Sequence, residues 1–135
     1  MNHRDTEAQR EEEERDPLTE SVIGAAIEVH RQIGPGLLES VYQKCMEIEL
    51  ALRQISLQPQ VRLPLLYKGK AVDDEFIMDL YFPGRLVVEL KAVEKLLPIH
   101  EAQLLTYLRL SKTRIGLLLN FNVRVLKDGI KRMVL

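Results

Sequence analysis

The sequence holds a single cysteine, Cys45, in 135 residues. One thiol excludes an internal disulfide framework and any zinc site built from several cysteines. No run approaches the ~18 consecutive apolar residues that would argue for a membrane span. The N-terminus is polar and acidic, which does not fit a secretory signal. Nor is there a phosphate-cradling glycine-rich loop of the P-loop or Rossmann type. A strong charge of one sign is also missing. Lys and Arg total 19 against 20 Asp and Glu, and the resulting net charge of -1 gives no electrostatic footprint of a nucleic-acid binder. These absences favour a cytoplasmic chain with no membrane partner.

The length fits one domain with one substantial core, and the apolar (46%) and charged (29%) fractions are those of a globular protein. The charge is unevenly spread. Residues 1–17 contain seven acids (Asp5, Glu7, Glu11, Glu12, Glu13, Glu14, Asp16) and three bases (Arg4, Arg10, Arg15). Taking these from 20 and 19 leaves 13 acids and 16 bases, about +3 for the remainder. Residues 1–16 are therefore expected to be a solvated, disordered acidic leader, and 17–135 a single domain.

Asp16-Pro17 predicts an N-cap followed by proline at the first helical position. Leu18, Val22, Ala26, Val29 and Ile33 recur at helical spacing, giving a helix over 17–33 that Gly34-Pro35-Gly36 stops. A second helix is expected from about Leu37 to Arg53, with Leu38, Val41, Cys45, Ile48 and Leu52 as its buried stripe. From Val61 the period becomes two, through Leu63, Leu65 and Tyr67 to a turn at Gly69. Strands over about 75–82 and 85–93 meet across Pro83-Gly84. A third helix starts at Pro98 and runs to about Leu110, a buried strand spans 114–120, and Asp128-Gly129 turns into a last strand, 130–135. The order is ααβββαββ: an α/β or α+β fold with a mixed sheet flanked by helices.

The hairpin over 75–93 carries the chemistry. With Pro83-Gly84-Arg85 as its loop, Phe82 faces Leu86 and Asp79 faces Glu89. Alternation then gathers Met78, Leu80, Phe82, Leu86, Val88 and Leu90 on one apolar face, and Asp79, Tyr81, Val87, Glu89 and Lys91 on the other. Two facing carboxylates repel. A hard divalent cation resolves the conflict, since Mg²⁺ is held by one or two carboxylates plus water and substrate phosphate. Lys91 on the same face can hold a water or offset charge on a phosphate. An exposed sheet face with ordinary charges, Lys91 serving as counter-ion, explains the same pattern locally. Gln103 and Tyr107 share a face of the third helix at i and i+4. Glu39 and Tyr42 lie beside the stripe of the second.

Gly36-Leu37-Leu38-Glu39-Ser40-Val41-Tyr42 matches the naming motif of the GxxExxY protein family. Glu89-Leu90-Lys91-Ala92-Val93-Glu94-Lys95 and Gln103-Leu104-Leu105-Thr106-Tyr107 also resemble that family, over roughly residues 17–135. It is grouped with the PD-(D/E)XK nuclease-like superfamily, and its Gln-x-x-x-Tyr element is similar to that of the RecB-type exonuclease branch. The resemblance implies a restriction-endonuclease-like core with Asp79 and Glu89 as metal ligands, Glu39 binding the metal directly or through water, and Lys91 and Gln103 completing the catalytic set. Tyr107 and Tyr42 would position substrate. Asp79 follows Met78 where the superfamily name has proline. His30 is a further candidate ligand, against a capping or packing role.

The function expected is hydrolysis of DNA, RNA less so, assisted by Mg²⁺ or Mn²⁺. A chain this small has no separate module for reading sequence, so a homodimer or a partner protein is expected. The alternative is a catalytically silent module that keeps the nuclease fold for binding or assembly. Near-neutral charge favours the alternative; the joint presence of Glu39, Asp79, Glu89, Lys91 and Gln103 favours the enzyme.

Overall fold

Helix α1 (Pro17–Ile33) begins where Asp16 accepts the Thr19 backbone N–H at 3.1 Å and its hydroxyl at 3.2 Å. It ends at Gly34, whose φ of +69° favours glycine and whose N–H returns to the His30 carbonyl at 2.8 Å. The computed structural model describes residues 16–72 and 76–135. Residues 1–15 of the leader expected over 1–16, and the expected strand start at Glu75, lie outside the described residues.

Helix α2 (Glu39–Leu52) begins two residues later than expected and buries a different stripe. Tyr42, Met46 and Leu50 face inward, while Leu38 and Leu52 are each 74% exposed and Ile48 is 61% exposed. Cys45 lies partly buried at the edge of the core. The rotation follows the largest side chain. Tyr42 stacks on Phe121 with ring centroids 4.5 Å apart, and positions 46 and 50 follow it inward at helical spacing.

Strands β1 (Gln58–Leu63), β4 (Phe76–Phe82), β5 (Leu86–Lys91), β6 (Ile115–Asn120) and β7 (Ile130–Val134) form the main sheet, in the order β1-β4-β5-β6-β7. Only β5 and β6 run parallel, so the sheet is mixed. The first expected strand is in fact two. Pro64 offers no N–H to a ladder, and beyond it Leu66–Tyr67 (β2) pairs with Lys70–Ala71 (β3) as a separate small hairpin.

Helices α1 and α2 cover one sheet face, packing on Leu80, Phe82, Leu86, Val88, Leu90, Leu117 and Leu119. Helix α3 (Pro98–Ser111) joins β5 to β6 and covers the other face, where Leu104, Tyr107 and Leu108 meet Met78, Val87 and Leu118. Coverage on both sides explains why β5 and β6 are almost continuously apolar. Gly116 lets α3 approach closely: a Cβ there would lie 3.0 Å from the Leu104 side chain. Among the described residues no helix is long and apolar enough to cross a membrane.

Met78 departs from its expected place. It packs on the α3 side, across the sheet from Leu80 and Phe82. The pleat is disturbed at Asp79, where side chains take up the backbone amides of the β4–β5 pair. Gln60, between the residues of β1 that pair with Leu80 and Met78, is left-handed with φ of +50°.

Beyond β6 the chain turns back through a short 3₁₀ segment (Leu126–Gly129) against the strand end. A Cβ on Gly129 would sit 2.1 Å from the Asn120 carbonyl oxygen, an approach that backbone must move to relieve. Gly129→Ala should cost about 2 kcal/mol or more. In thermal melts its Tm should fall well below the wild-type value.

Candidate active site

Asp79 and Glu89 are braced by each other's strands. The Asp79 N–H donates to Glu89 Oε1 at 3.0 Å, and the Leu90 N–H donates to Asp79 Oδ2 at 2.8 Å. The β4–β5 register is the expected one, Phe82 with Leu86 and Leu80 with Val88. Continued one residue further, it sets the carboxylates side by side. Each acid thus satisfies a backbone amide of the opposite strand, which fixes both side chains without leaving a donor unpaired.

Glu89 is only 5% exposed. Burial raises its carboxyl well above the ordinary range, and the Asp79 charge raises it further. The Asp79 amide and the Lys91 ammonium oppose that rise without cancelling it. Lys91, the last residue of β5, also acts on Glu39 at the start of α2. There the carboxyl is raised mainly by desolvation and by Asp79, and lowered by Lys91 and by the Ala92 N–H. Lys91 is therefore the shared counter-charge of two acids on different elements.

Helix α2 also supplies Gln43, one turn beyond Glu39. Its Nε2 donates to the Asp79 carbonyl oxygen at 2.9 Å and to Glu47 at 3.1 Å. Those acceptors fix which end of the amide is nitrogen. Gln43 Oε1 is left buried without a protein partner, the one such side-chain atom among the described residues. Gln60 Nε2 donates to Asp79 Oδ1 at 3.0 Å. Glu39, Ser40, Gln43, Lys44, Glu47, Gln60 and Asp79 line a cleft of about 390 Å³.

Tyr107 of α3 is buried beneath the carboxylates. Burial, then Glu89 and Asp79, push its phenol up to about 12, so it stays protonated at neutral pH and can donate a hydrogen bond. Gln103, one turn earlier on α3, is exposed, and among the described residues no hydrogen bond or ion pair ties it to the carboxylates.

Two expected site residues are placed elsewhere. Tyr42 is fully buried: its hydroxyl donates to the Gly34 carbonyl at 2.6 Å and accepts from the Leu37 N–H at 3.2 Å. It cannot touch a substrate. It holds the loop that leads into α2 and so places Glu39. His30 is not in the ligand set either: among the described residues it joins no group of three His, Cys, Asp or Glu that could hold a metal, and its Nε2 lies 2.8 Å from the Val123 carbonyl oxygen. A carbonyl only accepts, so Nε2 carries the hydrogen and is closed to a metal.

The donor chemistry suits a hard divalent cation in one respect and limits it in another. Two adjacent carboxylates, one desolvated and repelled by the other, with an unpartnered buried amide oxygen on the cleft wall, match an ion that keeps several waters. A three-ligand set does not assemble. Among the described residues no group of three His, Cys, Asp or Glu side chains could hold a metal ion, so Glu39 is not a third direct ligand of the pair. Its carboxyl accepts from the Ala92 N–H and feels the Lys91 charge instead.

Three contributors were missed in the sequence. Gln43 is detectable in principle, being four residues from Glu39 on the same helix face. Asn120 ends the apolar run of β6; its side chain brackets Val93, accepting its N–H at 3.1 Å and donating to its carbonyl at 2.9 Å. That fixes the chain just after Lys91. Gln60 carries no local signal.

A mixed sheet that presents Asp from one strand beside Glu-x-Lys from its central neighbour, with helices on both faces, has the restriction-endonuclease-like architecture. The family model described as PD-(D/E)XK nuclease superfamily matches residues 16–133, and the chain belongs to that superfamily. No curated protein and no solved structure matches the chain significantly.

Proposed function

We propose that this protein is a divalent-metal-dependent nuclease hydrolysing phosphodiester bonds of DNA, RNA being the less favoured substrate. Its domain over residues 17–135 is of the GxxExxY, RecB-like type. The observation that carries this reading is the mutual brace of Asp79 and Glu89, which holds two carboxylates together behind a cleft that Asp79 lines, with the Lys91 charge acting on Glu89. Membership of a nuclease superfamily adds the expectation of a nucleic-acid substrate.

Asp79 and Glu89 would hold Mg²⁺ or Mn²⁺. When bound, such an ion polarises a phosphate and acidifies water. Lys91 offsets charge on the phosphate or orients the attacking water, and Glu39 acts on that lysine through its charge from the helix side. Tyr107, kept protonated, donates from below. Gln103 stands where it can meet the substrate backbone. The compartment that suits the chain is the cytoplasm, and a homodimer or partner protein would supply the sequence selection that one small domain lacks.

Titrating Mg²⁺ and Mn²⁺ against linear, nicked, branched and single-stranded DNA and RNA tests the proposal. Cleavage that EDTA abolishes and either ion restores is the expected result. The rival, a silent binding or assembly module, draws on the lack of a third carboxylate ligand among the described residues. Metal binding with no cleavage of any nucleic acid would favour it.

A further inference from the structure

The carboxylate cleft is poor in the cations that a nucleic-acid backbone requires. Glu39, Glu47 and Asp79 line it against a single Lys44. A second cleft, of about 490 Å³, has the opposite charge. Arg31, Arg124 and Lys127 stand on its walls beside Ile27 and Val125, and among the described residues no carboxylate lines it. Arg31 pairs with Glu28, whereas Arg124 and Lys127 form no ion pair with any described residue.

Chain connections put the two clefts at the same end of the sheet. Lys91 pairs with Asn120 across the parallel strands, and the Phe121 N–H donates to the Lys91 carbonyl at 2.9 Å. The segment leading to Arg124 thus leaves the sheet beside Lys91. His30 holds that segment through Val123, the residue before Arg124. Gly34 and Pro35 form part of the second cleft, and Glu39 of the first follows five residues after Gly34. Five extended residues reach at most ~17 Å. That is the rise of about five nucleotides at ~3.4 Å each.

We propose that the Arg31–Arg124–Lys127 cleft is the track for the phosphate backbone of the nucleic acid whose scissile bond lies at Asp79 and Glu89. The backbone would meet these cations within about five nucleotides of that bond. The proposal rests on the nuclease reading and deepens it. Phosphate contacts set register and orientation but carry no base information, so the track confers affinity without sequence preference. It also accounts for how a chain of near-zero net charge could engage a polyanion: three of its cations share one cleft that no described carboxylate lines.

Two variants of the full chain test this, Asp79→Asn alone and Asp79→Asn with Arg124→Glu and Lys127→Glu. Both substituted basic residues are exposed, and melting curves check that the fold is retained. Anisotropy with labelled duplex DNA over a KCl series is the readout. The added charge reversals should weaken binding at least tenfold at ~100 mM salt. They should also lower the salt slope by about 1.8, roughly 0.9 for each duplex phosphate no longer neutralised. In the cleaving chain the same two reversals should raise KM and spare kcat. The KM penalty should persist on substrates with about five or more nucleotides on each side of the cut and fade as those arms are shortened. Affinity within twofold and an unchanged slope would overturn the track and leave the cleft to an acidic protein partner, while cleavage by the wild-type chain would keep the nuclease reading. Absence of both cleavage and binding with every nucleic acid would overturn both.

Discussion

Asp79→Asn and Lys91→Ala should each reduce cleavage by at least ~10²–10³-fold, the usual cost of removing one group that stabilises charge in a transition state. The choice of substitution at position 79 matters. The Asp79 carboxylate accepts from the Leu90 N–H and from Gln60. Asn retains an oxygen for Leu90, and the Gln60 amide can turn to meet the new donor. Ala would orphan a buried backbone N–H at about 1–3 kcal/mol, confounding lost activity with lost fold. Asn is therefore the cleaner probe. Lys91→Ala acts twice, since it removes the group proposed to meet the phosphate or the water and also the charge that lowers the Glu39 and Glu89 carboxyls. Metal affinity and turnover should both fall, with melting temperatures close to wild type. Full cleavage by either variant, folded and metal-loaded, would remove the catalytic assignment.

Glu89→Gln should abolish activity while making the metal-free protein more stable at neutral pH. The buried carboxyl is raised, so its protonated form is the one the fold favours. The sign follows from linkage: that contribution is complete below the ordinary carboxyl range and is lost as pH climbs through the raised folded value. At neutral pH the wild type has given up that contribution in part or in full, because burial and Asp79 disfavour the ionised form. Gln is neutral, and its oxygen can still accept the Asp79 N–H. A gain of roughly 1 kcal/mol would appear as a Tm rise of roughly 3–6 °C in a domain of this size. Below about pH 4 the two proteins should melt together. Divalent cation should stabilise the wild type by about 2.7 kcal/mol at a hundredfold excess over Kd, and the variant far less. A variant that is less stable at pH 7 and still responds to Mg²⁺ would contradict the two-carboxylate site. Melts across pH 3–9, with and without Mg²⁺, decide it.

Much of this site was legible because hairpin chemistry is local. Pro83-Gly84 set the turn, the turn set the register, and the register brought Asp79 toward Glu89. The helix boundary at Asp16-Pro17 and the stop at Gly34 follow from equally local rules. Rotation about a helix axis is not local. The apolar residues of α2 offered two stripes, Leu38-Val41-Cys45-Ile48-Leu52 and Tyr42-Met46-Leu50. Nothing within the helix says that Phe121, some eighty residues away, will select the second. The same distant partner turned Tyr42 from a substrate contact into a latch on the Gly34–Leu37 loop.

The amino-acid sequence by itself determined the helices and the main strands, the turn between β4 and β5, and the identity of the acids and the lysine, because caps, prolines and period-two alternation act over a few residues. Tertiary structure decided which side chains those groups would face. It sent Met78 to the opposite sheet face, tied His30 to Val123, and brought Gln43 and Gln60 onto Asp79. It also left Glu39 with Lys91 and Ala92, outside the carboxylate pair. Burial and long-range packing set those outcomes, and neither is encoded in any single segment.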